Sequence, residues 1–244
     1  MKRKKIIINE NVYKKVVFIQ YNSEDQIKEI ANILLMNFSD DNKIKKETHV
    51  TLNIDYLSER EVGFNIYIKG EVVERVLGVA YYGTWYPTVD DVILQNARSQ
   101  EVFKEEGVYG AYGISDQSLL ENIVSSTPNS VYFGQDQYPT LIRKAAHYWW
   151  RFAKYQVFSN GNKRTGLLVF ALFLSMNFMN MWDNEDSLYK ISKEIANDVM
   201  SEEDLYFYII KRVKFKYKET MDKYNSLEFS KIRKKVDKED KLNL

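Results

Sequence analysis

Gln156-Val157-Phe158-Ser159-Asn160-Gly161-Asn162-Lys163-Arg164-Thr165-Gly166 is the stretch from which the rest of the chain can be read. Upstream, Leu141, Ile142, Ala145, Ala146, Trp149, Phe152 and Ala153 recur at helical spacing, and downstream Leu167 to Leu174 is unbroken apolar sequence. Two core helices therefore flank a loop in which Asn160-Gly161-Asn162 is a turn signal. The next residues open the second helix, whose unpaired backbone N–H groups and positive dipole end point into the loop. A helix amino terminus carrying Lys163 and Arg164 is a phosphate site on first principles. An Asn-Gly turn followed by a solvated Lys-Arg pair is the plain structural alternative.

Outward from this centre the punctuation is uneven. Every glycine lies between Gly63 and Gly166, and the three prolines are Pro87, Pro128 and Pro139, so turns concentrate in the middle and the last third is expected to be almost wholly helical. The first ~85 residues read as a separate α+β unit. Ile6-Ile7-Ile8 and Val16-Val17-Phe18-Ile19 are strand-like, and Ser23 with Gln26 forms a capping box. Behind that box Ile27, Ile30, Ala31, Leu34, Leu35 and Phe38 mark the apolar face of a helix, expected to lie against a sheet. Val50, Leu52 and Ile54, then Val62, Phe64, Ile66 and Ile68, alternate as strands, with a turn at Lys69-Gly70. His49 falls on the polar side of its strand, as a surface histidine would. The predicted fold class is α+β: an N-terminal α+β unit over 1–87, an all-α domain over 88–215, and a basic helical tail over 216–244.

Composition narrows the chemistry. The 244 residues carry 35 Lys plus Arg against 34 Asp plus Glu, so the net charge of +1 gives no reason to expect an obligate nucleic-acid or membrane-surface binder. The charge is unevenly spread. From Lys211 onward twelve basic residues face six acids, a local excess that suits either an acidic partner or a solvated helical face. No cysteine is present, which excludes a disulfide scaffold, a thiolate zinc site and a cysteine nucleophile. With only His49 and His147, a multi-histidine metal site is also excluded. Ile6 to Ile8 is too short an apolar run for a secretory signal, and Gly166 to Met176 is shorter than the roughly 20 residues of a membrane span. The expected location is the cytoplasm, with no membrane partner.

The central stretch resembles the Doc (death-on-curing) branch of the Fic/Doc (Fido) family, whose hallmark is His-x-Phe-x-(Asp/Asn)-(Gly/Ala)-Asn-Lys-Arg. Phe158, Asn160, Gly161, Asn162, Lys163 and Arg164 match, and Gln156 stands where the family has histidine. Tyr109-Gly110 with Gly113-Ile114-Ser115-Asp116 and Leu119-Leu120-Glu121 resembles the family's first helix. Phe133-Gly134, Tyr138-Pro139-Thr140-Leu141 and Lys144-Ala145-Ala146 resemble its flap and the helix leading to the motif. Ser201-Glu202-Glu203-Asp204-Leu205 resembles the start of its closing helix. The likeness covers about residues 88 to 215, roughly half of the chain.

The resemblance implies an all-helical domain that binds ATP or another nucleoside triphosphate with Mg²⁺ and transfers part of it to a protein hydroxyl. Fic members mostly transfer AMP; Doc members, with lysine in the loop, are toxins that phosphorylate a translation factor, and Lys163 places this chain on the Doc side. Leu167 occupies the position of the second arginine of Fic motifs. Carried over, Gly161, Asn162, Lys163 and Arg164 hold phosphates, Phe158 anchors the loop, Asn160 faces the metal, and Ser125 to Gln137 is the flap that aligns a target peptide. The chain contains no Ser/Thr-x-x-x-Glu-Gly/Asn restraint, so a toxin of this kind implies a separate antitoxin. Gln156 can position a hydroxyl but cannot take its proton, and general-base help is worth ~10²–10⁴-fold. His147, nine residues earlier, lies ~13.5 Å along a helix axis and about 180° around it, so it cannot substitute. Three readings follow: a Doc-like kinase or nucleotidyltransferase with Gln156, Lys163 and Arg164 at its centre, a catalytically silent nucleotide-binding or interaction module, and a nucleic-acid-binding regulator using the basic tail.

Overall fold

The computed structural model describes residues 5–21, 23–45, 47–102, 113–181 and 183–226. They form two compact units. The first comprises described residues of 5–19, 34–81 and 215–226, and the second those of 20–33 and 82–214. These units follow different residues from the 1–87, 88–215 and 216–244 divisions, because the helix α1 (Glu24–Asp41) gives its first ten residues to the second unit and the rest to the first.

The first unit holds the hairpin β1 (Ile6–Ile8) and β2 (Asn11–Tyr13) beside a four-stranded sheet of β3 (Lys15–Ile19), β4 (Val50–Ser58), β5 (Glu61–Ile68) and β6 (Glu71–Ala80). The sheet order is β3-β6-β5-β4, parallel between β3 and β6 and antiparallel elsewhere. Burial follows position in the sheet. On β5, Val62, Phe64 and Ile66 are buried together with Asn65, whereas edge strand β4 keeps Val50, Leu52 and Ile54 only half-buried. Leu34 and Phe38 of α1 are buried, Leu35 is half-buried, and His49 is exposed. Helix α8 (Tyr217–Ser226) buries Thr220 and Tyr224 in this unit, and the rest of the basic tail, 227–244, lies outside the described residues.

The second unit is built on helices α2 (Val89–Val102), α3 (Gln117–Ser126), α4 (Leu141–Lys154), α5 (Asn162–Met176), α6 (Glu185–Ala196) and α7 (Glu202–Ile210). A hairpin of β7 (Val131–Tyr132) and β8 (Gln135–Asp136) precedes α4. Strands β9 (Met179–Met181) and β10 (Val213–Phe215) interrupt the last third, which the sequence predicts to be almost wholly helical; three-residue strands are too short for an alternating pattern to show. Helix α4 is central: residues on every side of it, from Leu141 to Ala153, are buried, including Trp149, Tyr148 and Phe152. Trp149 stacks on Phe170 of α5 at 4.6 Å, and its indole N–H donates to Ser192 Oγ of α6 at 2.7 Å, which lets a polar atom enter the core at little cost.

The start of α1 is tied to the same helix. Thr140 caps α4 by accepting from the Arg143 N–H, Gln26 Oε1 accepts from the Leu141 N–H at 2.8 Å, and Glu29 accepts from Thr140 Oγ1 at 2.5 Å. Only half of the expected Ser23–Gln26 capping box therefore forms. Gln26 donates its backbone N–H to Ser23 Oγ at 3.2 Å while its side chain serves α4 instead. Among the described residues no helix is long and apolar enough to cross a membrane.

Candidate functional site

Helix α4 ends at Lys154, with Tyr155 as its cap, and α5 begins at Asn162; the six residues Gln156 to Gly161 form the loop. Phe158 is its anchor, 2% exposed and bridged to Ile114. The segment before α3 laces the loop in place. Ser115 and Asp116 donate their N–H groups to the Val157 carbonyl at 2.9 and 3.2 Å, and Ser159 donates to the Gly113 carbonyl at 3.0 Å. Tyr109 and Gly110, matched to the same family segment, lie outside the described residues.

Asn162 locks the loop from the other end. Its Oδ1 accepts from the Phe158 N–H at 2.8 Å, and its Nδ2 donates to the Phe158 carbonyl at 2.7 Å and to Gln156 Oε1 at 3.1 Å. A buried asparagine side chain is thus spent on loop geometry. Gly161 takes φ 81° as the residue before the helix, a left-handed conformation that favours glycine, and no side chain caps the helix there. Residues 161–164, at the positive amino end of α5, line the pocket.

That pocket, about 120 Å³, is lined by Gln156, Asn160, Gly161, Lys163, Arg164 and Tyr189 among others. It falls below the ~300 Å³ at which pockets for whole small molecules begin, so it has the size of a subsite for phosphate groups. Arg164 is 5% exposed and Lys163 half-buried, and no carboxylate lines the space among the described residues. Two cations and the positive end of a helix make a strongly anion-selective cleft.

The same donor set does not suit Mg²⁺. Magnesium takes carboxylate and phosphate oxygens, and among the described residues the pocket supplies no carboxylate. Asn160 Oδ1, the atom expected to face the metal, accepts from the Gly161 N–H at 2.7 Å and from Arg164 at 3.4 Å. Among the described residues no group of three or more His, Asp or Glu could hold a metal ion.

The hairpin between α3 and α4 presents an apolar tip. Phe133 and Gly134 take φ of 51° and 79°, the positive values of a tight hairpin turn, and Val131, Tyr132 and Phe133 are exposed. Its base is held from below by Lys144, 1% exposed, whose Nζ donates to the Thr127 carbonyl at 3.0 Å and to Ser130 Oγ at 2.6 Å. Asp136 lies 3.7 Å from the same ammonium, and burial lowers the Lys144 pKa.

Sequence reasoning places Gln156, Asn160, Gly161, Asn162, Lys163 and Arg164 together, and the structure brings them to one pocket. His147 is packed, 4% exposed, with Nδ1 2.9 Å from Glu202 and its ring stacked on Tyr138. One supporting residue escapes sequence reasoning. Asn96 of α2 donates to the Asn160 carbonyl at 3.0 Å and to Thr165 Oγ1 at 2.8 Å, a contact across more than sixty positions that no local pattern announces. Tyr189 of α6 is likewise invisible in the motif. No curated protein matches the chain. Residues 88–174 match the Fic/DOC family, and this part of the chain is a Fic/Doc domain.

Proposed function

We propose that the second unit grips a nucleoside triphosphate by its phosphates at the amino end of α5 and transfers part of it to a protein hydroxyl, as a Doc-like enzyme of toxin type. The observation that carries this reading is the convergence of Lys163, Arg164 and the positive amino end of α5 on a pocket that no carboxylate lines among the described residues. Fic/Doc domains generally transfer nucleotidyl groups from a nucleotide bound with Mg²⁺ to protein targets. Here ATP is the preferred donor to test first.

In the transfer, the oxygen of a Ser, Thr or Tyr hydroxyl bonds to phosphorus as the bond to the leaving group breaks. Pyrophosphate leaves if AMP moves, and a nucleoside diphosphate leaves if the terminal phosphoryl group moves. The hydroxyl proton passes to solvent or to a phosphate oxygen of the substrate, because an amide such as Gln156 cannot accept it at neutral pH. The Ser125 to Gln137 segment, with its exposed hairpin edge, suits an extended target peptide added as a further strand. Lys163 and its neighbours favour Doc-type phosphoryl transfer to a translation factor, with a separate antitoxin as the restraining partner. The neutral Gln156 also favours a second reading, a catalytically silent domain that binds nucleotide without turnover.

The test is incubation of the whole chain with ATP labelled at the α or the γ phosphorus and a cell lysate. A labelled protein is expected, and the position of the retained label distinguishes AMP from phosphoryl transfer. Arg164→Ala is expected to cut labelling by ~30-fold, the loss of charge-assisted hydrogen bonds to phosphate. Equal labelling by that variant sinks the enzyme reading, and nucleotide binding without any labelling supports the silent one.

Since no carboxylate lines the pocket among the described residues, ATP affinity is expected to change by less than about threefold when EDTA replaces Mg²⁺. Calorimetric titration in the two buffers checks this, and a loss of a hundredfold or more would mean that a metal makes the principal contact.

A further inference from the structure

Asn162 decides which end of the Gln156 amide is presented to the pocket. The Phe158 N–H can only donate and its carbonyl can only accept, so Asn162 must place Oδ1 on the first, at 2.8 Å, and Nδ2 on the second, at 2.7 Å. The orientation of Asn162 is therefore fixed by main-chain atoms. Its Nδ2 carries a second hydrogen, and that hydrogen meets Gln156 at 3.1 Å, where only Oε1 can accept it. Turning the Gln156 amide over would set two NH₂ groups against each other. With Oε1 held in this way, the remaining end of this exposed, pocket-lining side chain is Nε2 with its two N–H donors.

A donor at this point has a different partner from the one an acceptor would have. An N–H aimed at an attacking hydroxyl would draw on one of its two lone pairs and weaken the nucleophile. Aimed at a phosphate oxygen it adds a hydrogen bond to charge, one of the stronger kinds. Lys163 and Arg164, which line the same pocket, are donors too. We propose that Gln156 is a phosphate-binding residue, donating through Nε2 to an oxygen of the nucleotide phosphates and leaving the hydroxyl to be placed by the target peptide itself. This rests on the nucleotide reading of the same pocket.

The test uses the full chain and ATP as the probe, titrated by calorimetry. Gln156→Glu retains an oxygen for Asn162 Nδ2, so the loop and the melting temperature are expected to be unchanged while ATP binding weakens at least tenfold. Gln156→Met, with neither donor nor charge, is expected to bind three- to tenfold more weakly, which separates a lost hydrogen bond from simple repulsion. If Gln156→Met binds ATP as the wild type does, Gln156 is not a phosphate ligand and the proposal fails. If Gln156→Glu keeps wild-type ATP affinity and labels protein faster, the side chain faces the hydroxyl and the proposal is likewise overturned. Failure of the wild type to bind any nucleoside triphosphate would instead overturn the nucleotide reading on which it rests.

Discussion

Alanine in place of Gly166 is expected to destabilise the protein by about 2 kcal/mol and to weaken ATP binding more than tenfold, although alanine is the better helix former. Gly166 lies in α5 where that helix meets α4. A Cβ there would sit 2.8 Å from the Trp149 carbonyl oxygen and 2.9 Å from the Ala153 nitrogen, both main-chain atoms of α4. Main-chain atoms of a helix cannot turn aside as a side chain can, so the two helices have to separate. The exchange gains ~1 kcal/mol of helix propensity, against an overpacking cost of ~1–3 kcal/mol that backbone contacts this short push to its upper end or beyond. Because α4 ends and α5 begins at the motif loop, their separation displaces the pocket-lining residues 161–164 at the start of α5. Urea denaturation and ATP titration of the variant measure both effects. A variant as stable as the wild type, with unchanged affinity, would show that the helices tolerate a wider spacing.

The parts of this architecture that are legible in the sequence are those written in consecutive residues. Helices α4 and α5 announce themselves because Leu141 to Ala153 keeps a helical period and Leu167 to Leu174 is apolar throughout; the turn between them is announced by Asn160-Gly161. Strands β4 and β5 are legible for the same reason, apolar residues alternating at Val50, Leu52 and Ile54 and again from Val62 to Ile68. What escapes is long-range. Gln26 looks like half of a capping box because Ser23 stands three residues before it, yet its side chain serves the Leu141 amide, 115 positions away. Asn162 reads as one of a row of phosphate ligands, and its side chain is instead the brace that shapes the loop. In both cases local spacing identifies a polar residue with work to do, and only tertiary contacts say which groups it satisfies.

Glu29 provides the other large effect, and its sign is unusual for a carboxylate. It is 3% exposed on α1, and burial raises its pKa from the ordinary 4.5 to about 7, against the partial compensation of hydrogen bonds from Thr140, Ile142 and Tyr206 and the charge of Arg143. A carboxyl whose pKa is higher folded than unfolded contributes most below the unfolded value and loses that contribution as pH climbs through the folded value. Stability is therefore expected to fall by roughly 3 kcal/mol between pH 4.5 and pH 8 on account of this one group. Below that window the trend reverses, because Glu203, Asp183 and Asp204 are held below the usual carboxylate range by Arg143, Tyr208 and Ser201 respectively and lose their partners' help on protonation. Glu29→Gln keeps a neutral acceptor at the amino end of α4 and removes the ionisation, so its stability is expected to be nearly level from pH 5 to pH 8. Chemical denaturation of both proteins across that range is the measurement. A wild type with a level profile, or a Gln variant that keeps the wild-type slope, would show that the α4 terminus and Thr140 compensate the Glu29 charge in full. With the slope present, raising the pH sets an ionised Glu29 in the buried space beside Thr140 and Ile142 at the amino end of α4, while the same helix at its other end leads into the motif loop. Weaker ATP binding above pH 7 in the wild type, absent in Glu29→Gln, is then the functional consequence to measure.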